Sequence, residues 1–305
     1  MRMDQFYKNL SVPTGKIDVV LDTDAYNEID DQYAIAYMLR SSDRLNVKAL
    51  YAAPFFNANS ESVSDGMYKS YEEIKHILTL AGREDLIDVT FKGSTEYLPD
   101  EKTPVQSDGA NHLVALAKNY SPENPLYVVA IGAITNVASA LVIDPSIAEN
   151  IVVVWLGGHS LENGAGEFNM KQDIAGARVV YNSGVPYVQL PCMGVVSEFR
   201  ISEPELDYWL VGKNPLCDYL ARHTKDAANR YASGKPWTRV IWDVTAVAWL
   251  LNDNDCFMKS KIIGRNLPNY DMQYNYTPSG VPMTYVCQIR RDKLMQDLIE
   301  KLTAN

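Results

Sequence analysis

Short apolar runs alternate with segments of helical spacing along most of the chain. Near-continuous apolar runs are typical of parallel strands, because helices cover both faces of such a sheet. The pattern therefore predicts an α/β fold, a single domain over residues 1–305 with a mostly parallel central sheet flanked by helices, Rossmann-like in organisation. The predicted strands are Ile17 to Leu21, Val47 to Ala53, Leu126 to Ile131, Ile151 to Leu156 and Val185 to Leu190.

The intervening segments predict the helices, a loop and the carboxyl-terminal elements. Pro99, Pro104 and the Asp108-Gly109 pair predict a surface loop from Lys92 to Gly109. The alternation in Met283 to Ile289 predicts an edge hairpin followed by a closing helix. The principal predicted helices are Tyr68 to Ala81, His112 to Asn119, Val137 to Val142, Glu203 to Leu210 and Leu216 to Tyr231.

Four aspartates stand where the first predicted strand ends and a helix begins. They are Asp22, Asp24, Asp30 and Asp31, and Glu28 lies among them. Open α/β sheets bind their ligands at the carboxyl ends of the strands. Carboxylates this close repel one another unless a cation or a proton relieves the charge. Helix capping explains one or two of them, so a metal or a ribose-type polar ligand is the better explanation of the group, and a hard divalent ion with oxygen ligands is the simplest.

Two other acidic motifs fit this stretch less well. A calcium-binding helix-loop-helix needs glycine at the sixth loop position and a carboxylate at the twelfth, where Asn27 and Tyr33 stand. A phosphatase of the haloacid-dehalogenase type also begins with Asp-x-Asp after a strand, but Tyr26 occupies the place of its Thr or Val.

Composition excludes several classes of partner. The formal net charge of −10 is spread without a basic cluster, which argues against nucleic acid and anionic membranes. No run approaches the roughly 18 apolar residues of a membrane span. The amino terminus lacks an apolar signal core, and the cysteines are widely spaced without a metal-ligand pattern. We therefore expect a cytoplasmic protein with reduced thiols.

The aspartate-rich stretch resembles the amino-terminal signature of the inosine-uridine nucleoside hydrolase family, Asp-x-Asp-x-x-x-Asp-Asp followed by an alanine-rich helix. Strand, aspartate pairs and helix stand here in that order. Five residues, Ala25 to Ile29, separate the pairs where the family pattern has three. The resemblance thus includes a two-residue insertion in the metal loop.

Three later blocks extend the resemblance in the family's order. Gly132 to Asn136 is similar to the family's Gly-x-x-Thr-Asn segment, in which the residue before the glycine lends its carbonyl to the metal; here that residue is Ile131. Glu167-Phe168-Asn169 looks like the triplet whose Glu and Asn hold the ribose hydroxyls. Asp243, which begins an apolar helix, matches the last metal ligand.

The resemblance implies calcium-dependent hydrolysis of the N-glycosidic bond of a ribonucleoside, giving free base and ribose. It assigns Ca²⁺ to Asp24, Asp31, Asp243 and the Ile131 carbonyl, since all-oxygen ligation selects a hard ion. It makes Asp24 the general base. It gives the ribose to Asp30, Glu167 and Asn169, and the 5′-hydroxyl to Asn163.

Trp242 is the main departure near the site. Many family members carry a histidine before the last aspartate that can protonate the leaving base, and an indole cannot act as such an acid. Trp242, with Trp237 and Phe55, could instead stack on a purine, which predicts a purine preference. The alternative is that Trp242 packs in the core.

Other functions stay open from the sequence. A metal-dependent hydrolase of another ribosyl or phosphoryl substrate would use the same carboxylates, and so would a non-catalytic calcium-dependent ribose-binding protein. The many scattered tyrosines favour a homodimer or homotetramer.

Overall fold

The computed structural model describes residues 1–304, which form ten strands and eleven α-helices. The strands are β1 (Ile17–Thr23), β2 (Leu45–Ala52), β3 (Thr90–Lys92), β4 (Leu126–Ala130), β5 (Ile151–Leu156), β6 (Tyr187–Leu190), β7 (Arg200–Ser202), β8 (Thr238–Val240), β9 (Met258–Gly264) and β10 (Pro282–Ile289). The helices are α1 (Met3–Asn9), α2 (Asp31–Leu39), α3 (Val63–Leu80), α4 (Asp108–Ala117), α5 (Thr135–Ile143), α6 (Phe168–Gln172), α7 (Ile174–Asn182), α8 (Glu203–Trp209), α9 (Pro215–Ala232), α10 (Val244–Trp249) and α11 (Arg291–Thr303).

Eight strands form one sheet in the order β3-β2-β1-β4-β5-β6-β10-β9. All neighbours pair in parallel except β10 and β9, which form the antiparallel edge. This architecture confirms the predicted α/β fold with a mostly parallel sheet. β1 lies between β2 and β4, and Asp22 is paired with Tyr51 on one side and Ala130 on the other. The carboxyl end of β1 is therefore close to the middle of the sheet.

The sheet separates two apolar layers. In β1, Val19 and Leu21 point to one layer and Val20 to the other, as the two-residue period of a strand requires. The first layer is covered by α2, α3, α9, α10 and α11, and the second by α4, α5 and α7. Burial on both faces explains why the strands are apolar without alternation.

Element boundaries differ from the predicted ones mainly where polar residues cap helices. α3 begins at Val63 rather than Tyr68, because the Ser62 hydroxyl accepts a hydrogen bond from the Asp65 amide. α4 likewise begins at Asp108 after Ser107. The predicted loop from Lys92 starts with the last residue of the edge strand β3. Among residues 1–304, no helix is long and apolar enough to span a bilayer.

Candidate active site

A cavity of about 400 Å³ opens at the carboxyl ends of the central strands. Its walls come from the segments that follow β1, β2, β4, β5 and β6, and from the segment that precedes α10. The lining residues are Asn27, Glu28, Asp30, Asn57, Ile131, Leu156, His159, Glu167, Phe168, Asn169, Cys192, Met193, Trp242 and Asp243.

Four buried aspartates cluster at the base of this cavity and are called the floor: Asp30 and Asp243 line the cavity, and Asp24 and Asp31 lie next to them without lining it. Oxygens of Asp30, Asp31 and Asp243 lie within 4.8 Å of one another. The Thr23 hydroxyl donates to Asp31 Oδ1 at 2.5 Å. Residues far apart in the sequence thus converge on one point.

Two local features bring the floor together. Asp24 packs against Gly132 after β4, where a Cβ atom would lie 2.9 Å from Asp24 Cγ, so only glycine fits. The ribbon of β7 and β8 leads the chain to Asp243, and the Ile241 amide donates to the Phe199 carbonyl at 3.0 Å. α10 then packs on α2, which places Asp243 beside Asp31.

Burial and mutual repulsion both disfavour the charged carboxylates. Burial raises the pKa of Asp31 to about 6. It also raises the pKa of Asp24, Asp30 and Asp243 well above the usual range, and the charges of the neighbouring aspartates raise it further. A bound cation would relieve all of these costs at once.

The donor atoms fit a hard cation. Both carboxylate oxygens of Asp24 are buried and have no hydrogen-bond partner among the described residues. The Ile131 carbonyl accepts from Asn169 Nδ2 at 3.0 Å and keeps a second lone pair. Oxygen donors without His or Cys suit Ca²⁺ rather than softer metals. Asp31 and Asp243, which the sequence predicted as ligands, thus belong to a group that could hold such an ion; Asp30 completes the group, and Asp24 lies next to it.

Glu167 and Asn169 form a rigid wall beside the floor. Glu167 caps α6, and its carboxylate accepts from the amides of Gly158, Asn169 and Met170 at 2.9 to 3.1 Å. Asn169 Nδ2 donates to the Leu156 carbonyl at 3.1 Å as well as to Ile131. Both amide hydrogens of Asn169 are therefore engaged, and its Oδ1 remains an acceptor for a ligand.

The inserted segment, Ala25–Ile29, which is two residues longer than the family pattern, forms an ordered wall of the cavity. Asn57 Nδ2 donates to Asn27 Oδ1 at 2.5 Å, and Asn59 Nδ2 donates to the Asn27 carbonyl at 2.8 Å. Glu28 forms an ion pair with Arg239. This segment contributes Asn27 and Glu28 to the lining.

The rim of the cavity consists of Glu28, His159, Phe168, Met193 and Trp242, which are half-buried or exposed. Trp242 lines the cavity and also contacts the first core layer, so the two interpretations of this residue are compatible.

Two residues expected beside Trp242 do not reach the cavity. Phe55 is completely buried, because Gly66 of α3 packs against its backbone. Trp237 contacts the core and is absent from the lining. These two positions correct the expected aromatic cluster.

The loop between Gly158 and Glu167 also differs from expectation. Asn163 is absent from the lining, and its Nδ2 donates to Ser160 Oγ at 2.7 Å. His159 lines the cavity instead, although the sequence analysis assigned it no role. In the sequence, His159 directly follows the Gly157-Gly158 pair at the end of a predicted strand, and this position could have indicated a residue of the site.

Comparison with known proteins identifies the family. The model of the inosine-uridine preferring nucleoside hydrolase family matches residues 19–277. The chain belongs to this nucleoside hydrolase family. It is therefore a nucleoside N-ribosyl hydrolase, and the interpretation as a non-catalytic binding protein is set aside.

Curated nucleoside hydrolases are similar to most of the chain. The pyrimidine-specific ribonucleoside hydrolase RihA of Citrobacter koseri is 28% identical over 252 residues, which are 73% of this chain and 76% of that protein. The non-specific ribonucleoside hydrolase RihC of Salmonella paratyphi B is 25% identical over 262 residues, 78% and 79% of the two chains.

Solved nucleoside hydrolases share the fold. The structure described as an inosine-guanosine nucleoside hydrolase superimposes with a TM-score of 0.73 at 16% sequence identity, covering 94% of this chain and 98% of the other. This similarity extends the family match to the architecture of nearly the whole chain.

Proposed function

We propose that this nucleoside hydrolase cleaves the N-glycosidic bond of ribonucleosides in a Ca²⁺-dependent reaction, with Asp24 as general base. The observation that carries the proposal is the pair of buried Asp24 oxygens without partners, beside the cluster of Asp30, Asp31 and Asp243. Such a floor is costly to fold without a cation.

The ion would be held by Asp24, Asp31, Asp243 and the carbonyl of Ile131. When bound, Ca²⁺ would supply Lewis acidity that makes a water molecule easier to deprotonate. Mg²⁺ is less suited, because it retains several waters and binds poorly to crowded protein cages.

The chain's own groups would carry out the substitution at C1′. Asp24 accepts a proton from the attacking water, whose oxygen forms a bond to C1′ while the C1′–N bond breaks and the base leaves with the bonding electrons. Asp30, Glu167 and Asn169 hold the ribose hydroxyls. The nearby carboxylates also stabilise the positive charge that develops on the ribose ring in the transition state, which lowers the barrier.

We propose further that the base is held against Trp242, with a preference for purines. Trp242 and Phe168 both line the cavity and present aromatic surface to a ligand. The names of the relatives include pyrimidine-specific, non-specific and inosine-guanosine enzymes, so the proposal rests on Trp242 itself. Aromatic stacking is worth about 0.5–1.5 kcal/mol beyond buried area.

The preference is tested with inosine and uridine. Wild type should have the higher kcat/KM for inosine, and Trp242→Ala should lower the inosine-to-uridine ratio about 2- to 10-fold. A wild-type preference for uridine, or an unchanged ratio in the variant, would remove the stacking argument.

The function itself is tested by release of free ribose from a panel of purine and pyrimidine ribonucleosides. We expect ribose with millimolar calcium and none after chelation, with activity restored by added calcium. Activity that persists in the chelator would refute the metal requirement, and no ribose from any nucleoside would refute the proposed function.

Assembly and location are also proposals. We propose a homodimer or homotetramer; the exposed Tyr208, Trp209 and Val211 support an apolar contact surface. A monomeric mass by light scattering at micromolar concentration would refute it. We propose a cytoplasmic location, which the four free cysteines support and cell fractionation would test.

A further inference from the structure

We propose that His159 is a specificity-determining residue that recognises the 5′-hydroxyl of the bound ribonucleoside as a hydrogen-bond donor. The inference rests on the proposed function, because it takes the position of C1′ from the role of Asp24. The contact is new, because the family resemblance gives the 5′-hydroxyl to Asn163, which does not line the cavity.

His159 stands apart from the other residues of the cavity by its chemistry. It is the only Lys, Arg or His in the described lining, which also contains four carboxylates: Glu28, Asp30, Glu167 and Asp243. Carboxylates only accept hydrogen bonds when ionised, whereas a sugar hydroxyl both donates and accepts. Sugar hydroxyl oxygens need donors in this lining, and at the ends of β5 and β6 the His159 imidazole can supply one.

The backbone around His159 is fixed. Gly158 has a φ of +76°, and a Cβ atom there would lie 2.0 Å from the Tyr274 hydroxyl oxygen, so glycine is required. The Gly158 carbonyl accepts from the Cys192 amide at 2.8 Å, and the His159 carbonyl accepts from the Tyr274 hydroxyl at 3.2 Å. The imidazole thus projects from a rigid turn between the ends of β5 and β6.

One hydrogen bond determines which ring nitrogen is the donor. The Met193 amide donates to His159 Nδ1 at 3.3 Å. Nδ1 must then be unprotonated, so the neutral ring carries its proton on Nε2. Partial burial lowers the pKa of His159, which also favours the neutral ring. Nε2 makes no hydrogen bond to residues 1–304, so its N–H is free for a ligand.

The order of the strands orients the sugar. Asp24 follows β1, Asn169 bridges the ends of β4 and β5 through Ile131 and Leu156, and His159 follows β5. Successive strands are about 4.8 Å apart, so these groups follow one another across the cavity. With C1′ beside Asp24 and the ring held at Asn169, C4′ and its hydroxymethyl group point toward β5 and β6.

His159 therefore lies where the 5′-hydroxyl arrives. Asn169 cannot donate there, because both of its amide hydrogens are already engaged. Glu167 can accept the hydroxyl proton, while His159 Nε2–H donates to the hydroxyl oxygen. Glu167 and His159 together would therefore accept from and donate to the same hydroxyl group.

The experiment compares inosine, 5′-deoxyinosine and p-nitrophenyl ribofuranoside in wild type and His159→Ala, all in saturating calcium. Wild type should show kcat/KM about tenfold higher for inosine than for 5′-deoxyinosine, the value of one net hydrogen bond. His159→Ala should lose about tenfold on inosine and on the nitrophenyl riboside, chiefly through KM, and change less than about twofold on 5′-deoxyinosine.

Two further variants complete the test. His159→Gln retains an amide donor and should recover part of the loss. His76→Ala changes a half-exposed histidine of α3 outside the cavity and should leave all three rates unchanged.

The outcomes separate this inference from the proposed function. Equal losses on inosine and 5′-deoxyinosine would overturn it, since the 5′-hydroxyl would not be involved. A loss confined to inosine and 5′-deoxyinosine, with full activity on the nitrophenyl riboside, would instead assign His159 to protonation of the leaving base. If wild type and His159→Ala release ribose at the same rate, only this inference is refuted. If wild type releases no ribose, the proposed function and this inference are both refuted.

Discussion

The floor and the rim of the cavity are held in different ways. Asp24 and Asp31 of the floor are attached directly to β1 and α2, and their surroundings are fully buried. His159 and Met193 of the rim belong to turns after β5 and β6, and Met193 is 51% exposed. The floor has one arrangement dictated by the sheet, whereas the rim depends on the length and conformation of loops.

This difference suggests that the floor carries out the hydrolysis and that the rim determines substrate selectivity. Hydrolysis requires a cation site and a base at fixed positions, and the central strands provide such positions. In the proposed reaction, recognition of the base and of the 5′ end would use rim residues that can change without moving the sheet. Substitutions in the floor should therefore affect kcat and metal binding, and those in the rim should affect KM and substrate choice.

The largest effect is expected from Asp243→Ala. It removes a proposed metal ligand and should abolish calcium binding and lower kcat/KM by more than about a thousandfold. The chain should stay folded, because the lost carboxylate faces other carboxylates. Calorimetric calcium titration and circular dichroism measure the two properties.

Asp207→Ala is the matched control for this substitution. Asp207 is exposed and pairs with Lys225 on the surface, so calcium binding and kcat/KM should not change. Calcium binding by Asp243→Ala with wild-type affinity would mean that the floor is not the metal site.

Asp24→Asn should separate function from stability. It removes the proposed base and should lower kcat about 10²- to 10³-fold. It also removes a buried carboxyl that has no hydrogen-bond partners and whose raised pKa disfavours folding at neutral pH, so the calcium-free variant should be more stable by on the order of 1–3 kcal/mol. Urea unfolding in a chelator measures this difference in the free energy of unfolding. A variant less stable than wild type would contradict the view that the Asp24 carboxyl destabilises the calcium-free fold.

The floor could be predicted from the sequence because its residues sit at the ends of regular elements. The apolar run before Asp22 and the helical spacing after Asp31 define β1 and α2, and Asp243 precedes an apolar helix. Parallel strands bring such positions to one edge of the sheet whatever the loops do. This rule places Asp24 and Asp31 at the sheet edge, whereas Asp243 follows the separate ribbon of β7 and β8 and was assigned to the same site only through the family resemblance.

The rim could not be predicted in the same way. Asn163 was expected to reach the ligand, but it lies in the loop before Glu167 and bonds to Ser160. Phe55 follows a strand and precedes polar residues, which suggests exposure, yet Gly66 allows α3 to cover it. Whether these side chains face the cavity depends on how the loops pack in the folded protein. Residue type and spacing within the loop alone do not determine that packing.

Stability should depend on pH through the buried carboxyl that neighbours the floor. Burial raises the pKa of Asp22 from 3.8 to about 7, against a hydrogen bond from Asn136 that lowers it. Between these values the folded state binds more protons than the unfolded state. The free energy of unfolding therefore falls as pH rises from about 4 to about 7, by up to about 1.4 kcal/mol per pH unit for this group.

Unfolding by urea at pH 5, 6 and 7 in a chelator measures this slope. Asp31, with a pKa raised to about 6, adds a contribution of the same sign at the lower end of the range. Asp22→Asn keeps an acceptor for Asn136 and should reduce the slope by the share of Asp22, while Asp24, Asp30 and Asp243, whose pKa is also raised, keep the remainder. An equal slope in the variant would show that Asp22 is not the titrating group.

The smallest effect is expected at the ion pair that holds the inserted segment, and it tests whether the rim tolerates change. Glu28 is 45% exposed and Arg239 20% exposed, and exposed pairs contribute about 0–1 kcal/mol. Asn57 and Asn59 hold Asn27 independently of this pair. Glu28→Gln should therefore change KM for inosine by less than about fivefold and leave kcat and calcium affinity unchanged. A large fall in kcat would mean that the inserted segment positions the floor, and the division between floor and rim would fail at that point.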